Sequence, residues 1–575
     1  MLGIVLAVLL GLAGSDAARA DGGVPRLGFP SPPRFDAHAD KRTVDVTWDG
    51  SSVQVATAVR GGERTWDRQL VMHPTHVEVR DTIRNPTADT IGLRIRHSVQ
   101  PGAAEVWAGG RPAPDGADSY DPWNPTVFVS VTNGGLGLVA EDDVLRNQLW
   151  VDNDRKTRTA GLRTDMLCVG AGDAVTLVWS IYPIAAASYW DFINTVRSDW
   201  SVNRTVPGSY IWFSPDTVLA MDADRLRAAL EHQRVGIASL AGGWVDPQRS
   251  EHPPLIAFGT FVLSPEFASY RERIRKAVTK LKAARPSLRV LLYFDAQRDS
   301  SPDAAARFTD SALMQGGKPD STDWGGKFSR TWSMVPTTDN AFGKALAKVP
   351  DAMRALGSDG LYWDEIDAVD FGRPRLTERA WDKRTCRLGA DGSVEKPVGL
   401  VNLLSEPAKL GYARAGGFVL GNGPPTMRAF QDRTDPHMIE AQHNDTWGAF
   451  AHLGTPLGYI SARTDWDIVL AKIDEGLLIA GVPLGYPHDI VARMFPFTPE
   501  YIQGGTLRGR ERIVTTRSGL HGWTSGTGPV KILRYDANGK EHEAAWKVEE
   551  KDGGVFVRVE LGPREAAVIE RTSPP

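Results

Sequence analysis

The sequence of 575 residues has little cysteine and no strong excess of charge of either sign. Only Cys168 and Cys386 occur, far apart, so a framework of disulfides or zinc ligands is not expected. We expect two unpaired thiols, with a single bridge as the alternative in an exported protein. The formal net charge is −4, from 66 basic and 70 acidic residues. No overall field attracts nucleic acid or an anionic membrane, and neither is expected as a partner.

Motifs of nucleotide-binding proteins and serine hydrolases are also missing. The sequence contains no G-x-S-x-G and no P-loop. The stretch "GGLGLVA" from Gly134 loosely matches a dinucleotide fingerprint, but it begins in an Asn-Gly hairpin turn and continues as a strand rather than a helix. A nucleotide cofactor is therefore not expected.

Long hydrophobic runs are absent apart from "MLGIVLAVLLGLAG" at the N-terminus, which is too short to cross a bilayer. The small-residue site Ala18-Arg19-Ala20 follows it. This pattern predicts a signal peptide over 1–20, a mature chain that begins near Asp21, and a secreted or periplasmic protein. No Lys or Arg precedes the run, and a buried N-terminal strand is the alternative. We expect no membrane span.

The hydrophobic period changes twice along the chain. From about Arg42 to Ser180 apolar and polar residues alternate between turn signals, which predicts an antiparallel β-sandwich domain over 35–200. Strand and helix patterns then alternate, which predicts a (β/α)₈ barrel over 207–510, with an open doubly wound sheet as the alternative. The period of two returns from "RIVTTRSGLHGW" onward and predicts a small β-domain over 511–575.

One barrel helix and eight barrel strands can be placed. Ser264 and Pro265 begin the helix, and Tyr270, Ile274 and Val278 lie on one of its faces. The sequence pattern that predicts the eighth strand is the weakest of the eight. The predicted strands are "YIWFSPD", "GIASLAGGWVD", "RVLLYFDAQ", "DGLYWDEID", "GFVLGNG", "HMIEAQHN", "TPLGYIS" and "VPLGY".

Polar residues follow apolar ones at the ends of several predicted strands. In "DGLYWDEID", alternation turns Leu361 and Trp363 toward the outer helices and Tyr362 and Asp364 toward the barrel mouth. Active sites of such barrels lie at the carboxyl ends of the strands. By the same argument, further candidates at the mouth are Asp295, Asn422 and Glu440.

Carboxylates in these positions suit glycosidic cleavage. One carboxylic acid protonates the leaving oxygen, while another carboxylate attacks the anomeric carbon or activates water. Asp364 and Glu440, on the fourth and sixth strands, can flank one bond, so we predict Asp364 as nucleophile or base and Glu440 as acid. Glu365 lies where the fourth strand ends and is the alternative acid.

Aromatic and hydrogen-bonding residues near the mouth are candidates for sugar contacts. Aromatic faces stack on the C–H surfaces of pyranose rings, and Asp or Asn binds hydroxyl groups. The stretch from Val369 to about Gly416 is longer than an ordinary connection and is expected to shape the pocket. The predicted substrate-binding residues are Asp295, Trp212, Trp244, Tyr293, Tyr362, Asn422, His443 and Tyr459.

No metal or other cofactor is expected at this site. His437, Glu440 and His443 would be split between the faces of a strand, and the acidic residues around Asp364 lack the spacing of a calcium loop. Two other functions remain open: a carbohydrate-binding protein that has lost catalysis, and a polysaccharide lyase. A binder needs no opposed carboxylates and a lyase needs a base with cationic or metal help, so the acidic mouth favours a hydrolase.

The order of domains, the "GLYWDE" motif and the last strand "LGPREAAVIE" resemble retaining α-glycosidases of the α-galactosidase clan. The resemblance implies an Asp nucleophile at the fourth strand, Asp364, and an acid/base at the sixth, Glu440. It also implies an oligo- or polysaccharide substrate with an α-linkage. Tyr362 stands where the clan has Lys, and Glu440 where it has Asp. "DGLYWDE" is similar, too, to the strand-four motif of barrel enzymes that cut α-1,4-linked galactosaminogalactan.

Overall fold

The computed structural model describes residues 33–572 apart from 39–41, 49–50, 101–104, 241–257, 325–329, 368, 371, 432–435, 441–445, 461–464 and 527. The predicted signal peptide, Trp244 and His443 lie outside the described residues. Within the described ranges, no helix combines the length and the apolar character needed to cross a membrane.

Two antiparallel sheets form the N-terminal region and confirm the predicted β-sandwich. In the strand Thr43–Trp48 every second residue is buried, because one face of each sheet packs on the other. The first sheet contains Arg34–Ala37, Thr43–Trp48, Ser51–Gly61, Ile91–Val99, Asp118–Tyr120, Trp150–Asp154 and Thr159–Val169; the second contains Thr65–Met72, Val77–Arg84, Val106–Ala108, Arg111–Pro112, Thr126–Val131, Gly134–Ala140 and Ala174–Ile184. Helices Asp143–Asn147 and Tyr189–Asp199 accompany them.

The long connection after the fourth barrel strand extends the first sheet of the sandwich. Its strand Thr385–Leu388 pairs with Thr159–Val169, Leu167 lying opposite Thr385. Val394–Leu400 and Leu376–Thr377 continue the sheet beyond it. This connection therefore ties the barrel to the sandwich.

Eight parallel strands form the central sheet and confirm the predicted barrel. The Gly481 N–H donates to the Tyr210 carbonyl at 3.0 Å, so the end of the last strand reaches the first. We number the strands β1 (Ser209–Phe213), β2 (Val235–Leu240), β3 (Arg289–Asp295), β4 (Gly360–Asp364), β5 (Phe418–Asn422), β6 (His437–Glu440), β7 (Leu457–Tyr459) and β8 (Leu478–Ala480).

The prediction of the eighth strand was wrong. β8 ends at Ala480, before the predicted segment "VPLGY", which contains no strand. Gly481 has a φ of +69° and turns the chain out of the sheet. Pro483 follows it and has no N–H to donate to a neighbouring strand.

Helices and short strands connect the barrel strands. The predicted helix is confirmed: Ser264 caps the turn Pro265–Phe267, and Ala268–Ala284 buries Tyr270, Ile274 and Val278. The other helices are Pro215–Ala220, Ala223–His232, Ala304–Arg307, Ala341–Leu346, Val349–Arg354, Val401–Gly416, Arg428–Gln431, Trp466–Asp474 and Ile490–Arg493, with 3₁₀ turns at Gly259–Leu263 and Thr446–Ala451. Short strands are Arg298–Asp299, Met314–Gln315, Lys318–Pro319, Ser321–Thr322, Thr331–Ser333, Val369–Asp370 and Arg373–Pro374.

Two antiparallel sheets close the chain. The larger has Pro499–Gln503, Thr506–Gly509, Arg512–Thr515, Val530–Tyr535, Glu541–Glu543 and Ala566–Arg571; the smaller has Gly519–Trp523, Val548–Lys551 and Gly554–Val559. The first two strands of the larger sheet precede residue 510, where the barrel was predicted to end.

Candidate active site

Aromatic rings fill the barrel below its mouth. The ring of Tyr362 on β4 lies 4.8 Å from that of Trp212, 5.8 Å from that of Tyr293 and 6.0 Å from that of Tyr210. Tyr459 on β7 is 5.9 Å from Trp212. These residues occupy inward positions because neighbouring parallel strands keep their side chains in phase. The layer forms the floor beneath the polar residues at the strand ends.

The outward residues of β4 pack as the alternation predicts. Trp363 contacts Phe294 of β3, at a ring distance of 4.8 Å, and Tyr412 of the helix Val401–Gly416, at 6.3 Å. Leu361 and Trp363 are both fully buried. The side chain of Asp364, in phase with Tyr362, is therefore directed to the mouth.

Asp364 lies at the end of β4, opposite Asp295 of β3, and both of its oxygens accept hydrogen bonds. The Tyr293 hydroxyl donates to Oδ2 at 2.6 Å, the Asn422 amide donates to Oδ1 at 2.6 Å, and the Glu365 N–H reaches Oδ1 at 3.1 Å. Burial is the main cause that raises the pKa of Asp364 to about 6, and the charge of Glu365 is the next. The hydrogen bonds from Tyr293 and Asn422 lower this pKa and so oppose the shift. The donors favour the ionised form, which prevails above about pH 6.

Asn422 joins the two predicted catalytic carboxylates. Its Nδ2 donates to Asp364 at 2.6 Å and to Glu440 Oε1 at 3.1 Å. The oxygens that share this amide can be no farther apart than 5.7 Å, the sum of the two bond lengths. Glu440 is exposed at the end of β6. The two carboxylates therefore stand close together on strands that are separated by β5.

Glu365 has a different environment from its neighbour Asp364. Its φ of +45° turns the chain out of β4, an uncommon conformation for a residue with a side chain. Arg298 donates to Glu365 Oε1 from Nε at 2.8 Å and forms an ion pair with it at 2.7 Å. Arg375 Nη1 lies 4.0 Å from Glu365 Oε2. The Glu365 carboxylate is therefore engaged by arginine side chains, unlike that of Asp364.

Asp295 is buried behind Asp364. Its Oδ1 accepts from the Gln297 N–H at 2.6 Å, while its Oδ2 has no hydrogen-bond partner among the described residues. Burial, and next the charge of Glu365, raise the pKa of Asp295 well above its usual range. Because it is only 1% exposed, Asp295 is placed beneath the mouth rather than at its surface.

A buried lysine supports the segment that follows β4. Lys409, from the helix Val401–Gly416, donates from Nζ to the Ile366 carbonyl at 2.7 Å and to Asn402 at 3.2 Å. Asp367 accepts from the Thr426 N–H at 2.5 Å. The chain after the candidate site is therefore held by a polar network under the barrel's edge.

Five of the predicted substrate-binding residues thus converge at the mouth or on its floor, namely Asn422, Trp212, Tyr293, Tyr362 and Tyr459, and Asp295 lies beneath them. The sequence reasoning missed Arg298 and Arg375, which come from the connections after β3 and β4. Arg298 stands three residues after Asp295, a spacing that offered a weak signal. Arg375 offered none.

No protein-family model and no curated protein sequence matches the chain. Solved structures do match it. An α-galactosidase from Lactobacillus brevis aligns with a TM-score of 0.53 and 10% identity over 92% of this chain and 83% of that chain. A GH36 α-galactosidase from Geobacillus stearothermophilus, in complex with 1-deoxygalactonojirimycin, gives 0.50 and 8% over the same shares.

The chain has the fold of these α-galactosidases. The predicted resemblance is confirmed at the level of fold, because the match covers 92% of this chain. An α-N-acetylgalactosaminidase from Bifidobacterium bifidum gives a TM-score of 0.49 and 11% identity, over 84% of this chain and 96% of that chain.

Proposed function

We propose that this chain is a glycoside hydrolase that cleaves an α-glycosidic bond in an oligo- or polysaccharide. One observation carries the proposal: a single amide, that of Asn422, is hydrogen-bonded to both Asp364 and Glu440 at the mouth of the barrel. Glycosidic cleavage requires a pair of carboxyl groups that flank the scissile bond. Asp364 and Glu440 form such a pair, on strands that are two positions apart.

Asp364 is the nucleophile in this proposal. Tyr293 and Asn422 fix the orientation of its carboxylate, and above about pH 6 it carries the charge needed for attack on the anomeric carbon. The bond from the anomeric carbon to the leaving oxygen breaks as the bond to Asp364 forms. The same hydrogen bonds stabilise the carboxylate when water later releases the sugar.

Glu440 is the acid and base. It is exposed at the mouth, where the leaving oxygen and then an incoming water can reach it. Glu440 gives its proton to the leaving oxygen and recovers one from the water that hydrolyses the glycosyl intermediate. Glu365 is less suited to this role, because its carboxylate is already hydrogen-bonded to Arg298.

Retention of anomeric configuration is the outcome that we propose. Carboxyl groups of retaining enzymes are about 5–5.5 Å apart, against about 6.5–9.5 Å in inverting enzymes. Asn422 keeps one oxygen of Asp364 and one oxygen of Glu440 within 5.7 Å of each other, and the anomer released decides between the two outcomes.

Galactose-configured substrates are the first to test, since two similar structures are described as α-galactosidases. Wild-type protein is assayed on aryl α-galactoside, α-N-acetylgalactosaminide and α-glucoside, with 1-deoxygalactonojirimycin as a competitor. NMR then identifies the first anomer released. An α-anomer supports retention and a β-anomer overturns it. No hydrolysis of these aryl glycosides or of a panel of natural α-linked glycans would contradict the proposed activity.

Export is part of the proposal, since polymeric glycans are met outside the cytoplasm. The support is the apolar run before Ala18-Arg19-Ala20. N-terminal sequencing of the protein from its native source should begin near Asp21, and an intact Met1 would contradict export.

A further inference from the structure

A cavity of about 600 Å³ lies beside the candidate active site, between the sandwich and the barrel. Trp150 reaches it from the sandwich strand Trp150–Asp154, and Met314 from the connection after β3. Arg373, Arg375 and Arg387 come from the connection after β4. The volume is within the range of small-molecule sites, about 300–1,000 Å³.

Arg375 is a nearly buried residue of the cavity wall. Its side chain is 9% exposed, and Nη2 donates to Ser333 at 2.9 Å. The carboxylates of Asp320 and Glu365 lie 3.6 Å and 4.0 Å away, beyond hydrogen-bond length. Nε has no partner within the described part of the chain. Arg375 therefore places a positive charge in the cavity wall, held in position by Ser333 and by these two carboxylates.

The other arginines make the cavity electropositive. Arg373 is exposed on its hairpin. Among the described residues of the lining, Glu378 is the acidic one; it lies 3.4 Å from Arg387 and also forms an ion pair with Lys396 at 2.5 Å. Arg375 has Asp320 and Glu365 beside it, so the excess of positive charge comes from Arg373 and Arg387. Glu378, the carboxylate beside Arg387, is shared with Lys396. This excess attracts an anionic group.

Trp150 adds an aromatic wall. Its Nε1 is buried and has no hydrogen-bond acceptor among the described residues. Arg163 lies over its ring at 5.1 Å from the centroid. The ring of Trp150 offers an apolar surface to the C–H surface of a sugar. An aromatic wall beside arginines suits a ligand that is both a sugar and an anion.

We propose that this cavity is a subsite for a saccharide unit that bears a carboxylate or a sulfate, so that the substrate is an acidic glycan. The inference rests on the proposed glycosidase function for its place beside the cleavage site. That place follows from Arg375, whose Nη1 is 4.0 Å from Glu365, the residue after Asp364. Bound sugar could thus extend from the carboxylate pair into the cavity.

The test is calorimetric binding to the full-length protein. The probes are α-linked trigalacturonate, a sulfated α-galactotriose and neutral α-galactotriose, each in low and high salt. We expect at least one acidic probe to bind about tenfold or more tightly than the neutral one, with the preference reduced by salt. The two acidic probes distinguish a uronate from a sulfate.

The variant Arg373→Gln/Arg387→Gln should lose this preference, while its binding of the neutral probe and its melting temperature stay at wild-type values. Arg227→Gln/Arg275→Gln is the matched control, since both are half-exposed helical arginines outside the cavity lining and each has a carboxylate partner, as Arg387 does. The control should keep the preference. Trp150→Ala should weaken binding of all three probes.

Equal binding of acidic and neutral probes, or a preference that survives in the double variant, overturns the subsite. The readout is independent of catalysis. Loss of acidic binding in the double variant supports the subsite even if no glycoside is hydrolysed, in which case the proposed activity fails alone. Hydrolysis of neutral glycans without acidic preference leaves the activity standing and removes the subsite.

Discussion

The candidate active site and the arginine-lined cavity are neighbours, but different parts of the chain build them. Asp364, Asn422 and Glu440 stand on the ends of barrel strands, where the alternation of side chains fixes their direction. The cavity combines loop residues with Trp150 of another domain. The first has two close carboxylates and the second an excess of arginine. In the two proposals, the chemistry that needs fixed geometry is thus placed on strands, and the recognition of charge on loops.

Asp364→Asn should cause the largest loss of activity among the changes proposed, and it affects the strand-end site alone. Loss of the proposed nucleophile should reduce kcat by about 10⁴-fold or more on every substrate, because the amide of Asn cannot form the glycosyl intermediate. The fold should survive, since the side chain is only partly buried and Asn keeps its shape. Steady-state kinetics and a melting curve measure both effects.

Asp303→Asn is the matched control for this change. Asp303 is an exposed carboxylate in the connection after β3, with one ion pair at 4.0 Å to Arg307. It should keep wild-type activity. If Asp364→Asn did so too, the strand-end site would not be the catalytic one.

Glu440→Gln should give a smaller loss that depends on the leaving group. For a natural glycan we expect about 10²–10⁴-fold, the usual contribution of a general acid, and much less for an aryl glycoside or glycosyl fluoride, which needs little protonation. Azide should restore turnover of the activated substrates. A loss that is the same for all leaving groups would remove Glu440 from the acid role.

The strand-borne residues could be predicted from the sequence and the loop-borne ones could not. "LYWDE" shows its inward and outward residues by period alone, because a strand repeats every two residues. Arg375 lies in a connection with no regular hydrophobic period. Its approach to Glu365 depends on how that connection pairs with the sandwich. The eighth strand was misplaced because the apolar run continues past Gly481, where the chain turns.

The pH profile should separate the two regions. Asp364 must be ionised to attack and has a pKa of about 6, raised chiefly by burial, so kcat/KM should fall about tenfold per unit below pH 6. Arginines stay charged in this range, so binding of acidic probes in the cavity should persist until the probes themselves are protonated. An acid limb near pH 4 would contradict the Asp364 environment described above.

Tyr293→Phe tests the hydrogen bond that most lowers the pKa of Asp364. Its removal should raise that pKa, so the acid limb should move to higher pH. We expect kcat to fall about 10–100-fold at the optimum, the value of a hydrogen bond to a charged group. Tyr459→Phe is the control, because Tyr459 lies on the same floor and its ring contacts Trp212. It should leave the acid limb in place.

Glu365→Gln should give the smallest loss and a shift of opposite sign. The charge of Glu365 is the second cause, after burial, of the raised pKa of Asp364, so its removal should lower that pKa and move the acid limb to lower pH. We expect only a few-fold change in kcat at neutral pH. The reason is that the Glu365 carboxylate binds Arg298 and, in the proposal, does not protonate the leaving group. A melting curve must accompany the kinetics, since Arg298 loses its ion pair. If Glu365→Gln instead shows the leaving-group dependence expected of Glu440→Gln, Glu365 is the acid, and the strand end after β4, rather than β6, supplies the proton.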